Sequence, residues 1–170
     1  MQSTTAGPSL GLQFASLPRP AIPRRAERDD LARLFELERL CFEEERRDSK
    51  EAWRYSLSHQ RHEVWLIDSS DGTVVASMIL RPQRRVLVLF SLACHPDFRS
   101  QGLGRTLLAL ALRRTSDLGL SETVLEVAAD QPELLAWYQR HGFQTRRHLP
   151  DYYHPGHHAW RMHRPLGDHE

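Results

Sequence analysis

The chain has 170 residues, which is enough for a single domain with a buried core. Its 23 basic and 22 acidic side chains leave a formal net charge of +1, without the basic excess of a dedicated nucleic-acid binder. No stretch approaches the roughly 20 apolar residues that a membrane-spanning helix needs, and no secretory signal is recognisable. Cys41 and Cys94 are too few for a disulfide framework and indicate a reducing compartment. We therefore expect a cytoplasmic domain that binds neither nucleic acid nor membrane.

The composition divides the chain into three segments. Residues 1–19 are rich in Ser, Thr, Ala, Gly and Pro, which predicts a flexible N-terminal arm. Residues 20–165 carry the periodic apolar pattern of a folded domain, and residues 166–170 form a short tail. The apolar residues that could attach the arm to the domain surface are Leu10, Leu12 and Phe14.

The first half of the domain predicts a short edge strand, two helices and three strands. The edge strand lies near residues 21–24 and is weakened by proline. Asp29 or Asp30 is expected to cap the first helix. Asp48 has the capping-box spacing to Glu51, which predicts a second helix as far as about residue 59. The other predicted features are the apolar face of the first helix (Leu31, Leu34, Phe35, Leu37 and Leu40), a hairpin of 64–67 with 73–80, and a long strand at 86–94.

The second half predicts a helix from about residue 101 to 118, a strand at 123–128 and a helix from Pro132 to Gly142. Two weaker strands, at 143–148 and 158–164, are expected to pair across a loop at 152–156. The order β-α-α-β-β-β-α-β-α-β-β predicts a single α/β (α+β) domain, with a mixed central sheet and helices on both faces.

The turn between the long strand and the following helix is the most informative motif. It reads Arg99-Ser100-Gln101-Gly102-Leu103-Gly104. The N–H groups of a helix N-terminus have no intrahelical partners and favour an anion, and the two glycines would let phosphate oxygens reach the backbone. The motif is neither a nucleotide P-loop nor a GxGxxG dinucleotide fingerprint. The alternative interpretation is a glycine-rich helix start without a ligand.

Arg99-x-x-Gly102-x-Gly104 resembles the R/Q-x-x-G-x-G/A signature of the GNAT superfamily of N-acetyltransferases, in which this turn binds the pyrophosphate of coenzyme A. A second block comprises Leu125-Glu126-Val127, Trp137-Tyr138 and Gly142-Phe143. It is similar to the ribosomal-protein alanine N-acetyltransferases of that superfamily. The resemblance covers about residues 20–165 and implies a GNAT-like domain that uses acetyl-CoA.

The resemblance implies a set of cofactor-binding residues. Leu92 and Cys94 would act through their backbones, because the family's strand carries a bulge and separates from the next one. A catalytic thiol at Cys94 is not expected, since direct transfer needs no acyl-enzyme. Gln131 stands where relatives carry a cofactor-binding Asn. The remaining implied residues are Arg99, Ser100, Gln101, Gly102, Leu103, Gly104, Arg105 and Thr106.

Two residues are implied to be catalytic. Glu126 would be the general base that draws a proton from the substrate ammonium, directly or through water. The alternative is a structural carboxylate paired to an arginine, since a charge inside a central strand needs a partner. Tyr138 would be the general acid for the departing thiolate. The alternative role for Tyr138 is that of an aromatic side chain in the core, although Trp137 is the residue expected to pack there.

The acceptor is predicted to be a primary amine, with a protein or peptide N-terminus favoured. The alternatives are a small amine (a polyamine, amino acid or aminoglycoside) or a non-catalytic coenzyme A-binding domain. Tyr152 and Tyr153 would form one wall of the acceptor groove and the segment 41–50 the other. Packing of the last hairpin is an equal alternative for the two tyrosines. The chain is expected to be a monomer or homodimer.

The charged and histidine-rich clusters are read as solvated loops. The acidic run at 43–45 lies next to the expected acceptor site, and a solvated loop is preferred for it. The histidines at 154, 157 and 158 resemble a metal-binding tract. No metal is expected, because the GNAT reaction needs none and no Cys or acidic residue completes a ligand set.

Overall fold

The computed structural model describes residues 15–167, so Leu10, Leu12 and Phe14 lie outside the described residues. The strands are Arg24–Arg25 (β1), Glu63–Asp68 (β2), Val74–Gln83 (β3), Val86–Cys94 (β4), Glu122–Ala128 (β5), Gln144–His154 (β6) and His157–Pro165 (β7). The α-helices are Leu31–Cys41 (α1), Lys50–Ser58 (α2), Leu103–Asp117 (α3) and Pro132–Arg140 (α4). Short 3-10 turns lie at Arg28–Asp30, Glu44–Arg46 and Pro96–Phe98.

The strands form one sheet in the order β1-β2-β3-β4-β5-β7-β6. All neighbours are antiparallel except β4 and β5, which are joined through α3 and run parallel. The predicted element order and the mixed sheet are confirmed. Within the described residues, no helix is both long and apolar enough to cross a membrane.

Apolar side chains cover both faces of the sheet, as the sequence predicts. On one face, α1 and α2 pack on β2 and β3. On the other, α3 and α4 pack on β4 and β5. The side chains of the first core are Leu34, Leu37, Trp53, Val64, Leu66, Val74, Ile79 and Ala93. Those of the second core include Met78, Leu80, Leu87, Leu103, Leu107, Leu108, Leu125, Val127, Tyr138 and Phe143.

The buried face of α1 differs from the predicted one. Leu40 is 51% exposed, whereas Glu38 is buried. The buried stripe runs through Leu34, Leu37 and Glu38 to the half-buried Cys41, which is the i, i+3, i+4, i+7 spacing of one helix face. Leu40 lies beside this stripe, so the helix buries a carboxylate where the sequence suggested a leucine.

The predicted helix caps also change. Ser49, not Asp48, caps α2, because its hydroxyl accepts the N–H of Ala52 at 3.1 Å. The Asp48 N–H instead donates to the buried carboxylate of Glu38 at 2.9 Å. Before α1, the Asp30 carboxylate accepts the Glu27 N–H at 2.8 Å and does not cap the α-helix itself. Ion pairs with Arg24 and Arg33 further hold that carboxylate in place.

The final hairpin is longer than the sequence suggests. Strand β6 continues to residue 154, so Tyr152 and Tyr153 belong to a strand and not to a loop. The pairing between β6 and β7 shifts register between Leu149 and His154, and Asp151 has a φ of 51°. An irregular strand end of this kind is hard to recognise in a sequence, because its side chains do not alternate regularly.

Candidate functional site

A gap between β4 and β5 is the centre of the candidate site. The two strands pair only at Val86–Glu122, Leu87–Thr123 and Val88–Val124. In the pairing of β4 with β3, Ile79 lies opposite Ser91 and Leu80 opposite Leu89, which leaves Phe90 as an extra, bulged residue. Strands β4 and β5 therefore separate beyond Val88.

The backbone of β4 points unpaired groups into this gap. The His95 N–H donates to the Val75 carbonyl of β3 at 2.8 Å. Because backbone groups alternate sides along a strand, Leu92 and Cys94 direct theirs away from β3 and toward β5. Since β5 does not pair with this part of β4, the two N–H groups face the gap without a strand partner. This is the arrangement that the family resemblance implied for Leu92 and Cys94.

The Cys94 carbonyl is occupied within the protein, and the Cys94 thiol is largely buried. The carbonyl accepts the Cys41 thiol at 3.2 Å and Arg99 Nε at 3.3 Å, so its N–H is the group left for a ligand. Burial raises the pKa of the Cys94 thiol to about 11. A thiol with that pKa stays protonated at neutral pH, which supports a backbone role and argues against a nucleophile.

The glycine turn exposes the N-terminus of α3. Gly102 has a φ of +84° and Ser100 a φ of +62°, so both adopt the left-handed conformation. The first helical bond runs from the Thr106 N–H to the Gly102 carbonyl at 2.9 Å. The preceding N–H groups of the first turn, starting with Leu103, therefore have no intrahelical partner. The predicted binding residues Arg99, Ser100, Gln101, Gly102 and Arg105 are exposed around them.

Gly104 brings the turn against the end of β4. An ideal Cβ placed there would lie 3.5 Å from the Trp137 ring and 3.8 Å from the Cys94 sulfur. The start of α3, the helix α4 and the last residue of β4 therefore meet at one place. The Thr106 hydroxyl donates back to the Gly102 carbonyl at 3.0 Å, so its donor hydrogen is used within the helix.

Tyr138 lies in the core beside this meeting point. Its side chain is 5% exposed and packs edge-on against Phe143 and Trp137, with ring centroids 5.5 and 4.9 Å apart. Burial raises the pKa of its hydroxyl, and the Cys94 thiol adds to the shift. Trp137, predicted as the core aromatic, packs against the core but is only partly buried, and Tyr138 is the buried aromatic of the pair.

Glu126 lies in β5 on the sheet face opposite to Leu125 and Val127, which belong to the α3–α4 core. Its carboxylate accepts two hydrogen bonds on Oε1, from Arg161 Nε at 3.0 Å and Nη2 at 2.7 Å. The two residues are cross-strand partners in β5 and β7. The arginine pair that the sequence left as an alternative is thus present, and the catalytic role of Glu126 stays a prediction.

Tyr152 and Tyr153 lie close to Glu126. Burial raises the pKa of both hydroxyls, and the Glu126 carboxylate raises each further. Arg46, between α1 and α2, places its guanidinium carbon 5.7 Å from the centroid of the Tyr153 ring. Its Nη2 also donates to Asp130 at 2.6 Å. The two predicted walls of the acceptor groove therefore meet over the end of β5.

The remaining predicted features contribute less. Gln131 is exposed at the start of α4 and makes no side-chain cap. The His154 and His157 rings contact each other at a tilt of 42°, with centroids 3.7 Å apart. Residues 15–167 contain no group of three or more His, Cys, Asp or Glu side chains arranged to hold a metal ion.

Four charged residues near the gap were missed in the sequence. Arg161 donates to the predicted Glu126, and Asp130 accepts from Arg46. Arg46 lies over the Tyr153 ring, and Arg81 lies over the Phe90 ring. The chain has many arginines, so residue type alone does not single these out. A usable signal exists only for Arg161, because a carboxylate inside a central strand calls for a cation on the neighbouring strand.

Comparison with known proteins agrees with this geometry. The sequence profile of the Acetyltransferase (GNAT) family matches residues 31–143. The [ribosomal protein bS18]-alanine N-acetyltransferase of Escherichia coli K12 is 31% identical over 85 residues, which are 50% of this chain and 57% of that protein. N-acetyltransferase 8B of Rattus norvegicus is 32% identical over 100 residues, covering 55% and 45% respectively. The chain spans about half the length of these curated relatives.

Solved structures share the fold. The ribosomal-protein-S18-alanine N-acetyltransferase from Escherichia coli superposes with a TM-score of 0.77 at 23% identity, covering 88% of this chain and 96% of that one. The spermidine/spermine N-acetyltransferase SpeG from Vibrio cholerae gives a TM-score of 0.68 at 20% identity, covering 85% and 91%.

Proposed function

Because the chain belongs to the GNAT acetyltransferase family, we propose that it is an acetyl-CoA-dependent N-acetyltransferase that moves the acetyl group directly to a primary amine. The observation that carries the proposal is the gap between β4 and β5. It joins the glycine turn and Tyr138 on one sheet face to Glu126 and the two tyrosines on the other. Two reactants that enter from opposite faces would meet there, and such positioning supplies much of the rate gain in bimolecular transfer.

The residues at the turn fit the phosphates of coenzyme A. The unpaired N–H groups at the start of α3 and the positive end of the helix dipole favour an anion. A Cβ at Gly102 would meet no protein atom within 4 Å, so the space beside that residue is open to a ligand. Arg99 and Arg105 add exposed positive charge at the same turn.

Each proposed chemical role belongs to a group beside the gap. When bound, acetyl-CoA supplies the activated thioester. The N–H groups of Leu92 and Cys94 would bind the acetyl carbonyl and the pantetheine arm. The amine nitrogen forms the new bond to the carbonyl carbon as the C–S bond breaks. Glu126 takes the proton that the ammonium must lose, directly or through water, and Tyr138 gives a proton to the departing thiolate.

We favour a peptide or protein N-terminus as the acceptor. The Tyr152 and Tyr153 rings are 44% and 40% exposed and offer flat walls for an extended chain. The charged residues that border the groove form the ion pairs Arg46–Asp130 and Arg161–Glu126, so this border carries no excess negative charge to bind the additional ammonium groups of a polyamine. The Escherichia coli relative is a [ribosomal protein bS18]-alanine N-acetyltransferase, and its printed acceptor fits this choice. The spermidine/spermine N-acetyltransferase of Vibrio cholerae shares the fold. The two unpaired cysteines accord with a cytoplasmic site of action.

The proposal is tested with a panel of acceptors. The protein is incubated with acetyl-CoA and a free-N-terminus peptide, the same peptide with a blocked N-terminus and an internal lysine, spermidine, or an aminoglycoside. Thiol release is measured, and mass spectrometry locates the acetyl group. We expect the free N-terminus to react fastest. Faster turnover of spermidine or the aminoglycoside would replace the N-terminal acceptor by a small amine, and no thiol release with any acceptor would oppose the enzyme.

Substitutions at two glycines distinguish a loss of cofactor binding from the effect of backbone strain. We expect Gly102→Val to abolish the rise in Tm that acetyl-CoA gives the wild type, because the side chain would occupy the phosphate position. Gly119 is the matched control, since it also has a positive φ and open space around its Cβ, but lies at the other end of α3. Both variants should lose about 1–2 kcal/mol of stability through the left-handed backbone. An acetyl-CoA response that survives Gly102→Val, or is lost equally in Gly119→Val, would contradict the phosphate assignment.

The role of Tyr138 is tested by removing only its hydroxyl. We expect Tyr138→Phe to lower kcat by about 10²-fold, within the range for general acids, while the rise in Tm with acetyl-CoA remains. Because the pKa of the hydroxyl is raised, it stays protonated through neutral and mildly alkaline pH, so the deficit should be constant across that range. Unchanged turnover per folded molecule would leave Tyr138 as a core aromatic.

A further inference from the structure

Arg81 is a cation whose N–H donors are only partly hydrogen-bonded, and it lies on the sheet face that carries Glu126. It lies in β3, and its Nη2 donates to the Ser56 hydroxyl of α2 at 3.3 Å. Its Nε is buried and has no hydrogen-bond partner among the described residues. Its guanidinium carbon stands 3.3 Å from the centroid of the Phe90 ring, the bulged residue of β4. Stacking on an aromatic ring orients a guanidinium but does not satisfy its N–H donors.

The surroundings of Arg81 place it beside the proposed acceptor groove. The Arg81 guanidinium lowers, and the Glu126 carboxylate raises, the pKa of the same Tyr152 hydroxyl. Arg81 in β3 lies opposite Val88 of β4, and Val88 lies opposite Val124 of β5, so the side chains of Arg81, Val124 and Glu126 lie on the same face of the sheet. Phe90 lies where β4 bulges and begins to leave β5. An amine that reaches Glu126 along Tyr152 would pass within range of the Arg81 charge.

The charge of Arg81 is less well matched than those of its neighbours. Arg46 is paired with Asp130 at 2.6 Å, and Arg161 with Glu126 at 2.7 Å. Asp48 attracts Arg81, yet it forms no ion pair with it within 4.0 Å among the described residues. The Arg81 Nη1 is not among the buried atoms and donates to no other described residue, so a carboxylate can reach the guanidinium there. A charge-assisted bond to a partly buried guanidinium is stronger than one at an exposed arginine, because water screens it less.

We propose that Arg81 is a specificity-determining residue that binds a carboxylate of the acceptor, so that the preferred substrate carries an anionic group close to its reactive amine. This inference rests on the proposed function and narrows its acceptor class. The carboxylate has two sources. It is either an acidic side chain next to the N-terminus of a peptide or the α-carboxylate of a free amino acid.

The test compares isosteric acceptors. Two peptides begin with Ala and differ only by Glu or Gln at the second position, and alanine is compared with alaninamide. In at least one of the two pairs, we expect the wild type to have a KM about 10-fold lower for the acceptor with the carboxylate than for the one without it. A 10-fold difference is about the size of one charge-assisted contact. Arg81→Gln should bring that ratio to about one and leave the acetyl-CoA KM unchanged. Arg81→Lys should restore part of it, since the ammonium keeps the charge without the planar fork.

Arg85→Gln is the matched control, because Arg85 is exposed in the β3–β4 turn and loses the same charge. It should keep the wild-type ratio. A preference in the peptide pair identifies the acidic side chain as the source, and one in the alanine pair identifies the α-carboxylate. Equal KM values within both pairs, or a ratio that Arg81→Gln does not change, would overturn the proposal.

Binding is measured in parallel, so that a failure of the carboxylate site can be distinguished from a failure of the proposed acetyltransferase activity. The rise in Tm of the coenzyme A-bound protein is recorded with each acceptor at the same concentration. A larger rise with the carboxylate member, lost in Arg81→Gln, supports the carboxylate site even without turnover. An absence of turnover with every amine would oppose the proposed enzyme alone. Equal rises, or no rise with any acceptor, would oppose the carboxylate site.

Discussion

Glu126→Gln is expected to lower turnover by about 10²–10⁴-fold at neutral pH, the loss that removal of a general base gives. The glutamine keeps the shape of the side chain, and its amide oxygen can still accept from Arg161, which donates both of its bonds to one carboxylate oxygen. The fold should therefore survive. An α-amine has a pKa of about 7.7–8.0, so more acceptor is already deprotonated at high pH. We expect the deficit to shrink as the pH rises from 7 to 9.

A second carboxylate in the same strand provides the control. Glu122 begins β5 and is held by Arg146, with bonds of 2.9 and 2.8 Å, and by His163 at 3.0 Å. It lies at the end where β4 and β5 are still paired. Glu122→Gln thus removes a similar ion pair without touching the gap, and should leave kcat unchanged. If Glu126→Gln were only less stable, with normal turnover per folded molecule, Glu126 would be a structural partner of Arg161.

The arrangement of the fold follows from signals that the sequence carries locally. Apolar periodicity, the turn before Gly72 and the stops at Gly119 and Gly142 identify the elements in order. These signals depend on residues within one turn or one hairpin of each other. The sequence predicts the cap of α2 one residue early, at Asp48, because Asp48 and Ser49 are both good caps. The long-range hydrogen bond from the Asp48 N–H to Glu38 decides between them.

The candidate site likewise combines local features, which the sequence predicts, with long-range contacts, which it does not. The glycine turn is a local motif, and it lies at the start of α3 as the sequence predicts, with Ser100 and Gly102 in the left-handed conformation. The partners of the site are not local. Arg161 meets Glu126 through the register of β5 with β7, and Arg46 meets Asp130 across 84 residues of chain. Such contacts depend on the assembled sheet, and one sequence with abundant arginine offers many equivalent candidates for each.

The buried carboxylate of α1 has the largest expected effect on stability. Glu38 is 2% exposed, its Oε1 accepts the Asp48 N–H, and its Oε2 is buried without a hydrogen-bond partner among the described residues. Burial raises its pKa from the ordinary 4.5 to about 7. Between these values the folded protein holds a proton that the unfolded chain has released. The free energy of unfolding therefore falls as the pH rises through this window, and levels off above it.

Glu38→Gln should remove that dependence, because the amide is neutral at every pH and can still accept the Asp48 N–H. We expect the variant to match the wild type near pH 4.5 and to exceed it by about 3 kcal/mol at pH 8, from 1.36 kcal/mol for each pKa unit. Urea unfolding at pH 4.5, 6 and 8 measures the difference. Glu36→Gln, exposed on the same helix, should change stability by less than about 0.5 kcal/mol at each pH. A gain from Glu38→Gln that is the same at all three pH values would mean that Glu38 does not titrate in this window, and that the glutamine stabilises the helix by packing alone.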